Sequence, residues 1–179
     1  MQTKVYFAKV HPDAIIPSKR EEDAGFDIYP CLKTDVLKIA PHQTVMVPTG
    51  IASVCTKDYC FVLKERGSTG SKGIGQRCGV IDSGYRGEWF VPLTNHNDVP
   101  IIIAKPGQPV SAVEGTIIYP STKAICQALV VPVPSVEVCE MTLDELKEIA
   151  SDRGDGSLGS SGKYEEKYEC TKFKCCSPK

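Results

Sequence analysis

The spacing of the prolines constrains the fold of this chain more than any other feature of its sequence. Twelve of the 13 prolines among its 179 residues lie between positions 12 and 134. Proline fixes φ and has no backbone N–H, so it interrupts the interior of a helix. Long helices are therefore not expected in this part of the chain, and we expect short elements that are joined by turns.

The runs between these turns have the composition of β-strands. Each is rich in Val, Ile or aromatic residues, and most are bounded by Gly, Pro, Asn or Asp. Pro92 and Pro100 are expected at sheet edges or bulges, because proline lacks the donor that a central strand needs. The seven predicted strands span residues 5–10, 44–47, 60–63, 89–93, 99–103, 116–119 and 128–133. The sequence therefore predicts a mainly antiparallel β domain.

One short helix is predicted at residues 143–150. Thr142 can cap its N-terminus, and Glu145, three residues further on, completes a capping box. Three apolar side chains form one stripe along this helix: Leu143, Leu146 and Ile149. Such a stripe is typical of a contact with the core or with another subunit.

The composition changes after this helix and divides the chain into three parts. Residues 153–162 are rich in Gly and Ser, and residues 163–179 are polar with few apolar anchors. We expect a β domain at 1–151, a mobile Gly/Ser-rich arm at 152–162, and a disordered, Cys-containing tail at 163–179.

The charge balance argues against two classes of partner. The chain has 21 Lys and Arg against 22 Asp and Glu, and its net charge of −1 gives no attraction for nucleic acid or an acidic membrane. Its apolar runs, such as residues 101–104, are too short to cross a bilayer.

Residues 1–10 lack the layout of a signal peptide, so we expect a cytoplasmic protein. The His and Cys residues do not have zinc-binding spacing.

Five polar, glycine-flanked segments carry residues suited to chemistry. They span residues 24–27, 65–73, 79–87, 125–129 and 153–162. In the second segment, Arg66 stands among hydroxyls and glycines directly after a predicted strand. A turn of this kind can wrap a polyphosphate with its guanidinium and its backbone N–H groups. Taken alone, it could equally be the tip of a surface hairpin.

The third segment places a carboxylate beside apolar residues and an aromatic ring. We predict that Asp82 lies at the head of a hairpin whose turn is Ser83-Gly84, and that Tyr85 begins the return strand. A carboxylate in apolar surroundings can act as a base, and a neighbouring ring can form the floor of a sugar pocket. Read alone, the same residues also make an ordinary turn.

The order and spacing of the five segments resemble those of the trimeric dUTPase family, over about residues 3–162. The segment at 79–87 is the most specific match, followed by those at 24–27 and 153–162. The resemblance implies a β-clip, or distorted jelly-roll, subunit with one short helix. It also implies a homotrimer in which each of three active sites draws on all three chains, with a mobile C-terminal arm.

The resemblance implies a Mg²⁺-dependent hydrolysis of dUTP to dUMP and pyrophosphate. This reaction limits uracil incorporation into DNA and supplies dUMP for thymidylate synthesis. Asp82 would accept the proton of the attacking water. Asp27 would bind Mg²⁺ through water, while the substrate phosphates chelate the ion, so few protein ligands are needed.

The remaining site residues are assigned by the same resemblance. Tyr85 would pack beneath the deoxyribose and leave no space for a 2′-hydroxyl, while backbone groups around Gly79, with Gln76 nearby, would pair with uracil. The residues expected at the phosphates are Arg66, Ser68, Thr69 and Gln127. The residues expected to close over the site from the arm of another chain are Arg153, Leu158, Gly159 and Ser160.

The chain departs from the family pattern at several positions. Gly67 stands where a Ser usually follows the Arg of the second segment, so the part played by Ser68 is open. Lys123-Ala124 replaces the usual Asp-Arg pair, and Leu158 replaces an aromatic residue. Residues 104–122 form a longer stretch than in compact members, and we expect an extra hairpin or a surface for a regulatory partner there.

Three alternative functions stay open at this stage. A dCTP deaminase would need a Glu at the position of Pro92, which cannot exchange protons. A regulatory protein of the same fold could bind a partner in a nucleotide-dependent way, in addition to hydrolysis. A catalytically inactive relative is the third alternative, because some expected residues are missing.

Overall fold

The computed structural model describes residues 4–156 and consists mainly of short strands. Within that part of the chain there are twelve strands and two helical segments. They are β1 (Tyr6–Lys9), β2 (Phe26–Ile28), β3 (Val36–Ile39), β4 (Thr44–Pro48), β5 (Ile51–Val54), β6 (Tyr59–Lys64), α1 (Gly67–Gly70), β7 (Ile74–Gln76), β8 (Val80–Ile81), β9 (Phe90–Asn95), β10 (Ile101–Ala104), β11 (Ile117–Pro120), β12 (Cys126–Pro132) and α2 (Leu143–Glu148). The mainly β prediction is confirmed, although α1 adds a single helical turn.

The strands form four small sheets, whose neighbours are mostly distant in sequence. Their orders are β2-β12-β6-β8, β4-β9-β7, β11-β10-β3 and β1-β5. All pairings are antiparallel except that of β10 with β11. The first of these sheets matters most for function, because it places β2 beside β12 and β12 beside β6.

An aromatic cluster lies at the centre of the core. The Trp89 side chain is fully buried, and its ring centroid lies 5.0 Å from that of Phe61 and 5.7 Å from that of Phe7. Both pairs meet edge to face, which is a favoured arrangement of aromatic rings. Most of the remaining core side chains are Ile, Val and Leu, and the others are Ala, Cys and Tyr119.

The prediction that Pro92 marks an edge or a bulge is wrong, because Pro92 lies in the central strand β9. Its carbonyl accepts a hydrogen bond from the Arg77 N–H at 2.9 Å. In an antiparallel pair, the N and O of one residue point to the same neighbouring strand. The missing N–H of Pro92 therefore faces the chain just beyond the end of β7, where the ladder has stopped.

Two predicted hairpins are also absent. Asp82 does follow β8 and begins a turn, in which the Tyr85 N–H donates to the Asp82 carbonyl at 3.1 Å. However, β8 pairs with β6, whereas the next strand, β9, lies in another sheet. The second hairpin was expected at residues 104–122, where a loop at 105–116 instead joins the end of β10 to β11; the two strands run parallel, so the connection is a crossover.

The described residues divide into two compact units, with the boundary between residues 135 and 136. In the described part of the second unit, α2 begins as predicted, with Thr142 and Glu145 forming a capping box. The stripe of Leu143, Leu146 and Ile149 is exposed. Among residues 4–156, no helix has the length and hydropathy needed to traverse a lipid bilayer.

Candidate functional site

The pairing of β2 with β12 brings the first and fourth segments together. Gln127 lies opposite Asp27 on one side and opposite Lys64, at the end of β6, on the other. Arg66 follows β6 by two residues and turns toward the same place. The side chains of Asp27, Arg66 and Gln127 line one cavity of about 510 Å³, with residues 18–20 and 23–25 at its rim. We call it the Arg66 cavity.

Arg66 and Asp27 form a two-pronged ion pair in this cavity. The Arg66 Nε lies 3.0 Å from Asp27 Oδ1, and Nη2 donates to Oδ2 at 3.3 Å. Both side chains are about one-third exposed. Nη1 donates to Ser68 Oγ and to the carbonyl oxygen of Ala124, each at 3.3 Å. The guanidinium is thus held by a carboxylate, a hydroxyl and a backbone carbonyl.

The other predicted phosphate ligands have defined partners. Thr69 is buried, and its hydroxyl donates to the Arg66 carbonyl at 2.9 Å within the turn of α1. The amide of Gln127 donates to the Glu65 carbonyl at 2.9 Å. Gly25 packs directly on Gln127, because a Cβ at residue 25 would lie 2.8 Å from Gln127 Oε1. The glycine in the first segment therefore makes room for the amide.

The rim of the Arg66 cavity carries further charges. Lys19 Nζ donates to three carbonyls of its own loop, at 2.7–3.2 Å, and this organises residues 20–23. Arg20 donates to both carboxylate oxygens of Asp23, at 2.9 and 3.1 Å. These hydrogen bonds hold the pKa of the Asp23 carboxyl below its ordinary value. The rim thus presents fixed charges of both signs next to Arg66.

Asp82 and Tyr85 line a separate, more apolar cavity of about 280 Å³. We call it the Asp82 cavity. Its other walls are formed by residues 80–81, 88–90 and Met46. The Tyr85 hydroxyl donates to the Glu88 carbonyl at 3.0 Å, so the orientation of the ring is fixed. The site thus pairs an exposed carboxylate with an aromatic surface.

Gly79 and Gln76 do not line the Asp82 cavity, although Gly79 directly precedes Val80, which does. The Gly79 carbonyl accepts a hydrogen bond from the Leu63 N–H at 2.9 Å, which ties this residue to β6. Gln76 bonds to the Cys78 carbonyl through its amide, at 2.6 Å. Gly79 itself is exposed. These contacts fix the backbone beside Val80 and Ile81.

One copy of the chain does not bring the two cavities together. Ile81 pairs with Phe61, near the start of β6, whereas Arg66 lies beyond its other end. Asp82 and Arg66 are therefore about 15–20 Å apart along this strand, at roughly 3.3 Å per residue. The two cavities share no lining residue in the described part of the chain.

Arg153 lies in the second unit, where it is exposed. Its Nε donates to the Gly156 carbonyl at 2.8 Å, within a local turn. The other predicted arm residues, Leu158, Gly159 and Ser160, lie outside the described residues. Between residues 4 and 156, no group of three or more His, Cys, Asp or Glu side chains is arranged to hold a metal ion.

Two groups that contact the Arg66 site were not predicted from the sequence. One is the carbonyl of Ala124, and the other is Tyr119 on β11, whose hydroxyl donates to that carbonyl at 2.7 Å. A backbone carbonyl leaves no signal in a sequence. The aromatic residue in an aliphatic strand was a signal, but it marks core packing just as often.

Comparison with known proteins was made by sequence and by structure. The model of the dUTPase family matches residues 12–108. A deoxyuridine 5'-triphosphate nucleotidohydrolase of Gloeobacter violaceus is 36% identical over 143 residues, covering 78% of this chain and 83% of the relative. The same enzyme of Mycolicibacterium gilvum is 30% identical over 168 residues, covering 90% and 97%.

Solved structures of dUTPases share the fold. The dUTPase of Staphylococcus bacteriophage 80alpha with dUpNHpp superposes with a TM-score of 0.71 at 22% identity, covering 89% of this chain and 98% of that one. The dUTPase from phage phi11 of S. aureus gives 0.62 at 18% identity, covering 77% and 96%. The β-clip, or distorted jelly-roll, subunit is thereby confirmed. The chain belongs to the dUTPase family.

Proposed function

We propose that this protein is a dUTP diphosphatase, which hydrolyses dUTP to dUMP and pyrophosphate. The observation that carries the proposal is the Arg66 cavity, where a guanidinium, a carboxylate and an amide converge in a chain of the dUTPase family. The relatives named above carry the name of this activity. Hydrolysis would limit uracil incorporation into DNA and supply dUMP for thymidylate synthesis.

The Arg66 cavity is suited to the triphosphate. A guanidinium presents five N–H donors in a fork that matches phosphate oxygens, and it stabilises charge that develops on them in the transition state. In our proposal phosphate oxygens replace Asp27 on Arg66. Ser68 and Gln127 supply further donors, and Thr69 supports the turn that carries them.

The Asp82 cavity is suited to the nucleoside. Asp82 would accept the proton of the attacking water, as a carboxylate can when it lies within hydrogen-bond reach. The fixed ring of Tyr85 would lie beneath the deoxyribose and exclude a 2′-hydroxyl. Backbone groups at Gly79, with Gln76 nearby, would bind the uracil edge.

We further propose that the active site is shared between copies in a homotrimer. Asp82 and Arg66 lie near opposite ends of β6, and this separation supports a site whose base and phosphate ligand come from different copies. A third copy would contribute Arg153 and the arm with Leu158, Gly159 and Ser160. Sites that are built from several subunits are compatible with closed cyclic symmetry.

The donor set of the Arg66 cavity fits Mg²⁺. This ion prefers oxygen ligands, keeps several waters, and binds through one or two carboxylates together with substrate phosphates. Asp27 is a partly exposed carboxylate in that cavity and would hold the ion through water. When bound, Mg²⁺ would neutralise charge on the phosphates. A mutant dUTPase from phage phi11 of S. aureus coordinates a structural Mg(II) ion.

A regulatory partner is a second proposal, in addition to the enzyme activity. Residues 104–122 include an exposed loop and the exposed side chains of Val113 and Ile118. Phage dUTPases, among them that of phage 80alpha, control transfer of virulence genes. We place the contact with a regulatory protein on this stretch.

A nucleotide panel tests the main proposal. Purified protein with Mg²⁺ should convert dUTP to dUMP and pyrophosphate and leave UTP, dTTP and dCTP largely unchanged. Asp82→Asn should lower the rate by about 10²–10⁴-fold with the fold intact, because the base is lost and the shape is kept. Asp98→Asn, at an exposed carboxylate paired with His42, is the matched control. Ammonia from dCTP, or no pyrophosphate from dUTP, would overturn the proposal.

A further inference from the structure

We propose that Tyr119 is a positioning residue for Arg66. Its phenol fixes the Ala124 carbonyl, and that carbonyl in turn holds the guanidinium. The kinetic consequence rests on the proposed function, whereas the contact itself can be tested without nucleotide.

The carbonyl oxygen of Ala124 accepts two hydrogen bonds. Tyr119 is 2% exposed, and its hydroxyl donates to the Ala124 oxygen at 2.7 Å. Arg66 Nη1 donates to the same oxygen at 3.3 Å. A carbonyl oxygen has two lone pairs, so it can accept both donors at once. The Ala124 oxygen therefore links a buried strand residue to the Arg66 cavity.

The peptide group that carries this oxygen is held from both sides. Its N–H, which belongs to Ile125, donates to the Ile28 carbonyl at 2.8 Å. Ala124 and Ile125 are buried, at 2% and 1% exposure. Rotation of the peptide would leave buried polar groups without partners, which is energetically costly. The carbonyl is thus held toward Arg66 by Tyr119 at one end of the peptide and by Ile28, the neighbour of Asp27, at the other.

The phenol is suited to act as a constant donor. Burial raises the pKa of the Tyr119 hydroxyl, and the nearby Ser68 and Arg66 oppose this shift. A raised pKa keeps the group protonated at neutral pH. Phenylalanine at this position would keep the ring in the core and remove only the donor.

The Ala124 carbonyl contributes more to the position of Arg66 when the ion pair between Arg66 and Asp27 opens. In the proposed reaction, phosphate oxygens replace Asp27 on the guanidinium. The contacts of Arg66 with Ala124 and Ser68 then keep the side chain in place. Small losses of alignment reduce stabilisation of the transition state more than binding of the ground state. Loss of the Tyr119 hydroxyl should therefore lower kcat more than it raises KM.

The first experiment uses the full-length protein without nucleotide. Exchange of the Arg66 Nε–H with water is measured by NMR in wild type, Tyr119→Phe and the control Tyr59→Phe, where Tyr59 also packs against the core. The Arg66 signal is identified by its absence in Arg66→Lys. Exchange should be at least about fivefold faster in Tyr119→Phe, because a lost anchor frees the side chain. Equal exchange in wild type and Tyr119→Phe would overturn the proposal.

The second experiment is a double-mutant cycle with dUTP. Tyr119→Phe should lower kcat about 5–20-fold in the wild-type background and less than about twofold in Arg66→Lys, because the two residues act as a unit. An equal loss in both backgrounds would mean that Tyr119 supports only the fold and does not position Arg66, and this would overturn the proposal. If wild type does not hydrolyse dUTP, the proposed function fails, and the NMR comparison still decides the role of Tyr119.

Discussion

The guanidinium of Arg66 and the carboxylate of Asp27 face each other through two nearly parallel contacts, at 3.0 and 3.3 Å. These are the groups that we assign to the phosphates and to Mg²⁺. Each therefore satisfies the charge of the other. Binding of substrate has to exchange this pair for new partners, because one guanidinium edge cannot bind a carboxylate and a phosphate together.

The dependence on Mg²⁺ tests the role of Asp27. Asp27→Asn keeps the size of the side chain and removes its charge, so the Mg²⁺ concentration for half-maximal activity should rise by about tenfold, which is a loss of about 1.4 kcal/mol. The measurement is a Mg²⁺ titration of dUTP hydrolysis. Asp98→Asn should behave as wild type. An unchanged Mg²⁺ requirement in Asp27→Asn would remove Asp27 from the metal site.

The geometry of the ion pair makes lysine a poor substitute for arginine. Arg66→Lys keeps the positive charge but cannot contact Asp27, Ser68 and the Ala124 carbonyl together, so kcat/KM should fall by about 10²–10³-fold. Steady-state kinetics with dUTP measure this loss. Arg77→Lys is the control, because Arg77 contacts Thr94 on β9 and lines neither cavity. A loss below about threefold in Arg66→Lys would show that Arg66 acts only as a point charge.

The close contact of Gly25 with Gln127 gives a third prediction. In Gly25→Ala the new Cβ would lie 2.8 Å from Gln127 Oε1 and 3.0 Å from its Cβ, so the amide must move. We expect kcat/KM to fall by about tenfold, which equals about 1.4 kcal/mol, and the melting temperature to change little. Gly70→Ala is the control, since a Cβ there meets no atom within 4 Å. Full activity of Gly25→Ala would indicate that Gln127 does not contact substrate.

The sequence predicted every strand of five or more residues, three of the five strands of four residues, and none of the shorter strands. The five strands without a prediction, β2, β3, β5, β7 and β8, have between two and four residues each. So short a segment shows almost no periodicity, and its extended form depends on the neighbouring strand. The error at Pro92 has a similar origin. Whether a proline is tolerated depends on where the adjacent strand ends, and a local pattern does not contain that information.

The candidate site could be predicted only in part. From its residue types alone, the segment around Arg66 could be a phosphate-binding turn or the tip of a surface hairpin. The resemblance to the family favoured the phosphate-binding turn. The structure places Asp27, Arg66 and Gln127 around one cavity, as that interpretation requires. The contact of Tyr119 with the Ala124 carbonyl was not predictable, because it depends on tertiary packing between β11 and the turn after it.

Mixing two inactive variants tests most directly whether one active site combines Asp82 and Arg66 from different copies. Asp82→Asn and Arg66→Lys should each be nearly inactive alone. When the two variants are mixed in equal amounts, unfolded and reassembled, about one quarter of the sites should combine an intact Asp82 from one copy with an intact Arg66 from another. We therefore expect about one quarter of the wild-type dUTP hydrolysis after reassembly. Activity no higher than that of the separate variants would contradict it.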